Sequence, residues 1–159
     1  MSFRSGIGID FHRMEEGTKL ILGGIEIDSK KGSKGHSDGD ALIHAIADAL
    51  LGAANLGDIG KLFPSDDNRY NGADSRLFLE HIITMISPSY RIVNIDSTII
   101  LQAPRIGEQT FSMQNNIASI LAIDPFQVSV KATTTDYLGF IGQGDGIGAL
   151  AIVQLEEKK

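Results

Sequence analysis

His36-Ser37-Asp38-Gly39-Asp40-Ala41-Leu42-Ile43-His44-Ala45-Ile46-Ala47-Asp48 is the stretch on which the fold turns. Ser37 or Asp38 can cap a helix here, and the spacing predicts that it runs to about Leu51 and stops at Gly52. Leu42, Ile46 and Leu50 recur at i, i+4, i+8, and Ile43 and Leu51 widen that stripe into a core face. Asp40, His44 and Asp48 repeat at the same interval on another face. A helical His with carboxylates one turn away is most often a solvated surface trio.

Upstream, Phe3 to His12 reads as a strand with Ile7 and Ile9 on one side. Asp10 and His12 are two residues apart and so project together, a possible half of a metal site or a surface pair at a strand end. Gly6-Ile7-Gly8 is not a dinucleotide fingerprint, because Phe11 stands at the third glycine position and no helix pattern follows. Lys19 to Ile27 reads as a second strand with a bulge or turn at Gly23-Gly24, and Ser29 to Gly35 as a loop.

Downstream, Ala53 to Asp67 is a long connection with little periodicity, either functional or a plain acidic linker. Asp74 to Ile86 reads as a helix with Leu77, Ile82 and Met85 among its apolar positions and His81 on its surface. A β-branched strand spans Arg91 to Gln102 and ends at Ala103-Pro104-Arg105. A third helix is expected over Ile106 to Ile123, with Met113, Ile117, Ile120 and Leu121 as its core stripe. Strands at Gln127 to Thr133 and Ala149 to Leu155 follow. Gly144, Gly146 and Ala149 spell G-x-G-x-x-A, but a strand rather than a helix comes next, so this is no nucleotide-binding turn. The order of elements predicts a single-domain α+β fold over residues 1–159, a mixed sheet with helices packed on one face.

Composition narrows the function. The chain has 159 residues, 42% hydrophobic and 21% charged, as an ordinary globular domain does. A net charge of -6 offers no field for nucleic acid or anionic lipid, and no apolar run is long enough to span a bilayer. The first residues do not form a signal peptide, so a cytoplasmic protein is expected. With no cysteine, any zinc must be held by His and carboxylate. Asp10, His12 and His44 would make a three-ligand set that leaves a fourth tetrahedral position open.

Several motifs occur in order along the chain: Asp10-x-His12, His36-Ser-Asp-Gly-Asp40 with His44, Gly57-Asp-Ile-Gly60 with Phe63-Pro64, Gly72-Ala-Asp-Ser75, Gln102-Ala-Pro104, Lys131-Ala-Thr-Thr-Thr135 and Leu138-Gly-Phe140. Together they resemble the 2-C-methyl-D-erythritol 2,4-cyclodiphosphate synthase family of the non-mevalonate isoprenoid pathway, and the resemblance covers essentially the whole chain. It implies a homotrimer with active sites between subunits. The implied reaction converts 4-diphosphocytidyl-2-C-methyl-D-erythritol 2-phosphate to the 2,4-cyclodiphosphate and CMP.

By resemblance, Asp10, His12 and His44 hold Zn2+, and Asp136 helps hold Mg2+ or Mn2+ at the substrate diphosphate. His36 and Thr134 are implied as catalytic groups, with Ser37 beside the reacting phosphates. Asp58, Ile59 and Gly60 are implied to bind the methylerythritol hydroxyls, assisted by Phe63, Pro64, Ser65, Asp66 and Asp67. Leu101, Gln102, Ala103, Pro104, Arg105, Ile106, Gly107, Ala132, Thr133 and Thr134 are implied to form the cytidine pocket, largely through backbone groups, with Thr135, Phe140 and Gln143 as further substrate-side residues. Asp136 stands where the family commonly has Glu, Gln143 where many members have Arg, and Asp145 where they have Glu. The last two positions line a cavity on the trimer axis in the family. Arg105 and Ser65 replace a common Lys and Asp. The alternative is a catalytically silent trimeric zinc- and ligand-binding protein of the same fold; the intact Asp10, His12 and His44 set and the Thr triplet argue against it. A generic zinc hydrolase would leave the Leu101 to Gly107 stretch without a purpose.

Overall fold

Gly6, Gly8, Asp10 and His12 alternate onto one face of a long first strand, β1 (Phe3–Glu16), and helix α1 (Ala41–Ala54) lies directly upon it. The structure, a computed structural model, describes residues 2–64 and 66–159. The close approach requires glycine: a Cβ on Gly8 would sit 1.9 Å from the Ala45 carbonyl oxygen, and one on Gly6 2.0 Å from that of Ala49. Small residues on both surfaces thus bring the helix backbone down onto the strand beside Asp10 and His12.

After β1 come β2 (Leu20–Leu22), β3 (Ile25–Ile27) and β4 (Lys31–Lys34). Beyond α1 lie a short α2 (Ile59–Leu62), α3 (Arg76–Ile86), β5 (Tyr90–Ile100), α4 (Thr110–Leu121), β6 (Val128–Thr133), a short α5 (Gly139–Gly142) and β7 (Gly146–Glu157). Five strands form one sheet in the order β4-β1-β7-β5-β6. Its pairs are antiparallel except β5 with β6, which are parallel and joined through α4. The α+β class and mixed sheet are as expected. α1 covers β1 and β7, α4 covers β6, and α3 packs against both helices.

Leu42, Ile43, Ile46, Leu50 and Leu51 are fully buried, as the stripe predicts. α1 nevertheless passes through Gly52 and ends at Asn55, whose φ of 58° is left-handed. Ala53 and Ala54 are buried by that extra half-turn. Two methyl groups at about 0.8 kcal/mol each offset the roughly 1 kcal/mol that a helical glycine costs.

The cap also differs from expectation. Asp40, rather than Ser37 or Asp38, caps α1, its Oδ1 accepting from the Ile43 N–H at 3.0 Å. The same carboxylate accepts from the N–H groups of Gly23 at 3.0 Å and Gly24 at 2.7 Å. Those glycines, with φ of 59° and 73°, form the two-residue turn of the β2–β3 hairpin, so Lys19 to Ile27 is two strands and not one. Ser29 to Gly35 is likewise not only loop, since β4 pairs along β1 there. α3 turns Phe78, Leu79, Ile82 and Ile86 inward, leaving Leu77 and Met85 exposed. The segment expected as one helix from Ile106 opens with a 3-10 turn over Gly107–Gln109 before α4.

On the outer face of the sheet the short α5 lies beside β7, with Ile141 over Gly148 and Phe140 against Phe11. Phe3, Ile7, Ile9 and Phe11 of β1 and Ile152 of β7 stand exposed there.

Candidate metal centre and substrate cleft

Asp10 and His12 come from the helix-facing side of β1, and His44 descends from the first turn of α1. Among the described residues these three form the group able to hold a metal ion, each offering an atom within 4.8 Å of the others. His12 Nε2 lies 2.7 Å from Asp10 Oδ2, and His44 Nδ1 lies 3.1 Å from both.

The donor chemistry fits a cation. The Lys34 carbonyl, which can only accept, lies 3.0 Å from His12 Nδ1. That nitrogen therefore carries a ring proton, and Nε2 is the nitrogen that faces the Asp10 carboxylate. Either a proton, as a hydrogen bond from His12 to Asp10, or a metal ion ligated by both can occupy the space between them. Burial raises the Asp10 pKa, but hydrogen bonds and charge from His12 and His44 outweigh it and hold the carboxyl well below its usual range. Burial lowers that of His12, and the Asp10 carboxylate reverses this and raises it. The imidazole-carboxylate set suits zinc.

The centre opens into a cleft of about 650 Å³. His36, Ser37, Ile59, Gly60, Phe63, Pro64 and Asp66 line it with His12 and His44, so the structure brings these expected residues together. His36 Nε2 lies 3.4 Å from the Asp67 carbonyl, which ties the two loops. Asp58 is exposed and caps α2, accepting from the Lys61 N–H at 3.0 Å. Asp67 is turned aside into a two-pronged pair with Arg69, whose hydrogen bonds hold its pKa below the usual range. Ser65 lies outside the described residues.

Four contributors escaped the sequence reading. Phe78 stacks on Phe63 at 4.4 Å and Tyr70 meets it edge-on at 5.3 Å, forming an aromatic wall. Asp48 accepts from the Ile59 N–H at 2.7 Å and fixes the Asp58 to Gly60 turn against α1. Ser75 places its hydroxyl 2.9 Å from His44 Nε2. The Gly72-Ala-Asp-Ser75 motif carried the signal for Ser75, and the core register of α3 that for Phe78.

The remaining expected residues stand elsewhere. Leu101, Ala103, Pro104 and Gln143 line a different cavity, of about 590 Å³. Leu101 and Ile106 are buried, while Arg105 is exposed and Gly107 begins the 3-10 turn. The Gln102 side chain accepts from the Tyr137 N–H at 3.1 Å. Ala132 and Thr133 end β6, and the Thr133 carbonyl accepts from the Leu101 N–H at 3.0 Å. Thr134 Oγ1 accepts from the Asp136 N–H at 3.2 Å, and Thr135 Oγ1 donates to the Leu138 carbonyl at 2.7 Å. Asp136 is exposed and stands outside the metal group. Phe140 meets Phe11 edge-on at 6.1 Å, lining a third cavity. Across the sheet, Phe11, Gly148, Ile100 and Thr133 are in register. Three strand spacings, roughly 14 Å, thus separate β1 from the Thr133 segment.

Residues 3–156 match the profile of the YgbB family. The chain belongs to the YgbB family. Relatives of this YgbB family chain include the 2-C-methyl-D-erythritol 2,4-cyclodiphosphate synthase of Chloroherpeton thalassium, 50% identical over 155 residues that cover 97% of this chain and 99% of the relative. A solved relative is the bifunctional IspDF from Campylobacter jejuni, with a TM-score of 0.95 and 40% identity over 99% of this chain but 43% of that one. The CDP complex of IspF from Plasmodium falciparum matches with a TM-score of 0.87 and 36% identity, covering 99% and 98% of the two chains. Among the described residues of this YgbB family chain, no helix is long and apolar enough to cross a membrane.

Proposed function

We propose that this YgbB family chain converts 4-diphosphocytidyl-2-C-methyl-D-erythritol 2-phosphate to 2-C-methyl-D-erythritol 2,4-cyclodiphosphate and CMP, acting in the cytoplasm as a homotrimer of single-domain subunits. The observation that carries this reading is the convergence of Asp10, His12 and His44 at the floor of a cleft lined by His36, Ser37, Ile59 and Gly60. The CDP bound by the Plasmodium falciparum relative supports the cytidine diphosphate moiety.

The chemistry needs no protein nucleophile. An oxygen of the substrate's 2-phosphate attacks the β-phosphorus, the bond from that phosphorus to the α-phosphate oxygen breaks, and CMP leaves with the electron pair. The chain's task is to fold the substrate back on itself and hold its charge. In this reading His36 and Ser37 contact the phosphates beside the metal centre, and Asp58, Ile59 and Gly60 hold the methylerythritol hydroxyls. Thr134 steadies the diphosphate, while backbone groups of residues 101–107 and 132–134 receive the cytidine. Zn2+ on Asp10, His12 and His44, and Mg2+ or Mn2+ beside Asp136, would supply Lewis acidity and offset the protein's net charge of -6.

The trimer follows from the same reading. Residues 101–107 and 132–136 lie outside the cleft, so a complete site needs those of a neighbouring copy. The exposed Phe3, Ile7, Ile9, Phe11 and Ile152 give the sheet an apolar face suited to self-association. Phosphorus NMR of the protein with substrate, zinc and magnesium tests the function. Cyclic diphosphate should appear in step with CMP; an open-chain product would mean hydrolysis. No turnover by a zinc-loaded trimer would overturn the enzyme in favour of a binding protein.

A further inference from the structure

The floor of the cleft continues below His44 into a chain of hydrogen bonds with a definite direction. Ser75 is fully buried, and its hydroxyl touches both His44 Nε2, at 2.9 Å, and Asp38 Oδ1. Asp38 Oδ2 also accepts from the Ser75 N–H at 2.9 Å, and Oδ1 from the Asp40 N–H at 3.2 Å. An ionised carboxylate can only accept, so the single Ser75 hydroxyl proton goes to Asp38. The Ser75 oxygen is then left with lone pairs, and His44 Nε2 must donate to it. In the neutral ring His44 Nδ1 then carries no proton and presents a lone pair to Asp10 and His12. Ser37 Oγ, 3.1 Å from His44 Nε2 and 3.4 Å from Ser75 Oγ, accepts from the Gly39 N–H at 3.4 Å and can complete the Ser75 lone pairs.

We propose that Asp38 and Ser75 are positioning residues that lock His44 in its Nε2–H tautomer and so ready Nδ1 for the metal. The inference rests on the reading of Asp10, His12 and His44 as a metal centre. It assigns to the Asp38 carboxylate, two bonds away from the centre, the choice of which His44 nitrogen binds.

Asp38→Asn is the decisive variant because it preserves size and reverses polarity. With its oxygen kept on the Ser75 N–H and the bond from the Asp40 N–H given up, the new amide donates to Ser75 Oγ and frees that hydroxyl to donate to His44 Nε2. The Nδ1–H tautomer is then favoured, with its proton in the metal's place. Nitrogen-15 imidazole shifts of the metal-stripped full-length protein, followed upward in pH until the His44 ring is neutral, report the tautomer directly. Chelator competition reports zinc affinity. Wild type should show His44 as Nε2–H; Asp38→Asn should show Nδ1–H and bind zinc about tenfold to a hundredfold more weakly. Ser75→Ala, which deletes the acceptor, should also weaken zinc and give mixed tautomers.

Unchanged tautomer and affinity in both variants would overturn the relay. So would weakened zinc binding with the wild-type tautomer, since that marks a merely structural role. A wild-type protein that binds no zinc would instead refute the metal centre itself.

Discussion

Asp40 shows how one residue can carry a fold and a liability together. It is fully buried, and although three backbone N–H groups face it, burial dominates, with the neighbouring Asp38 charge adding to it, and its pKa is pushed up to about 6 from 3.8. Between those values the folded chain holds a proton that the unfolded chain has released. Stability from this group therefore falls as pH rises from about 4 to about 6. Asp40→Asn removes that dependence. The stability of wild type relative to Asp40→Asn, from urea midpoints, should grow between pH 6.5 and pH 4.5. Parallel pH curves would contradict it. The depressed Asp10 carboxyl has the opposite sign, its contribution being lost only as pH falls below 3.8, so the two windows do not overlap. At Asp136, on the exposed turn after β6, the expected role is with the second metal. Asp136→Ala should leave zinc content intact and raise the magnesium or manganese concentration needed for half-maximal turnover. An unchanged titration would remove that role.

At the scale of elements, the contact between β1 and α1 decides whether a metal centre exists. Gly8 lies two residues from Asp10 on the same strand face, and Ala45 follows His44. A side chain at Gly8 would meet helix backbone, which cannot swing away as a flexible side chain would. Gly8→Ala should therefore cost about 2 kcal/mol or more and push α1 off β1. Zinc affinity should fall along with stability, although no ligand is altered. Denaturation midpoints and zinc competition on one preparation check this; a stable variant with full affinity would show that the helix can shift without moving His44. The hairpin tether through Asp40 holds the N-terminus of the same helix.

For the whole molecule, the division of the proposed site residues between two regions of one chain sets the test. Asp10, His12 and His44 come together within a subunit, whereas residues 101–107 and 132–136 do not reach their cleft. Ile9→Glu places a charge in the exposed apolar face of the sheet. It should convert the proposed trimer to monomer by light scattering, keep zinc, and lose turnover. A monomeric variant with full turnover would mean that the site closes within one chain.

Much of this was legible in the sequence because it depends on short-range periodicity. The buried stripe of α1, the shared direction of Asp10 and His12, and the closing strand follow from periods of 3.6 and 2. Ordered motifs disclosed the family because they stand at its characteristic spacings along the chain. What misled was local: Ser37 and Asp38 look like caps, and apolar Leu77 and Met85 do not reveal that they are exposed, to any reading that sees only neighbours in the chain. The tertiary structure decided these points through contacts distant in sequence. Gly23 and Gly24 turned Asp40 into the cap, Gly6 drew the helix past Gly52, and packing against Phe63 turned Phe78 inward. The metal centre needed both kinds of information. Its ligands are residue types that a sequence displays, but their separations, and the Asp38–Ser75 support beneath His44, arise only when strand and helices meet.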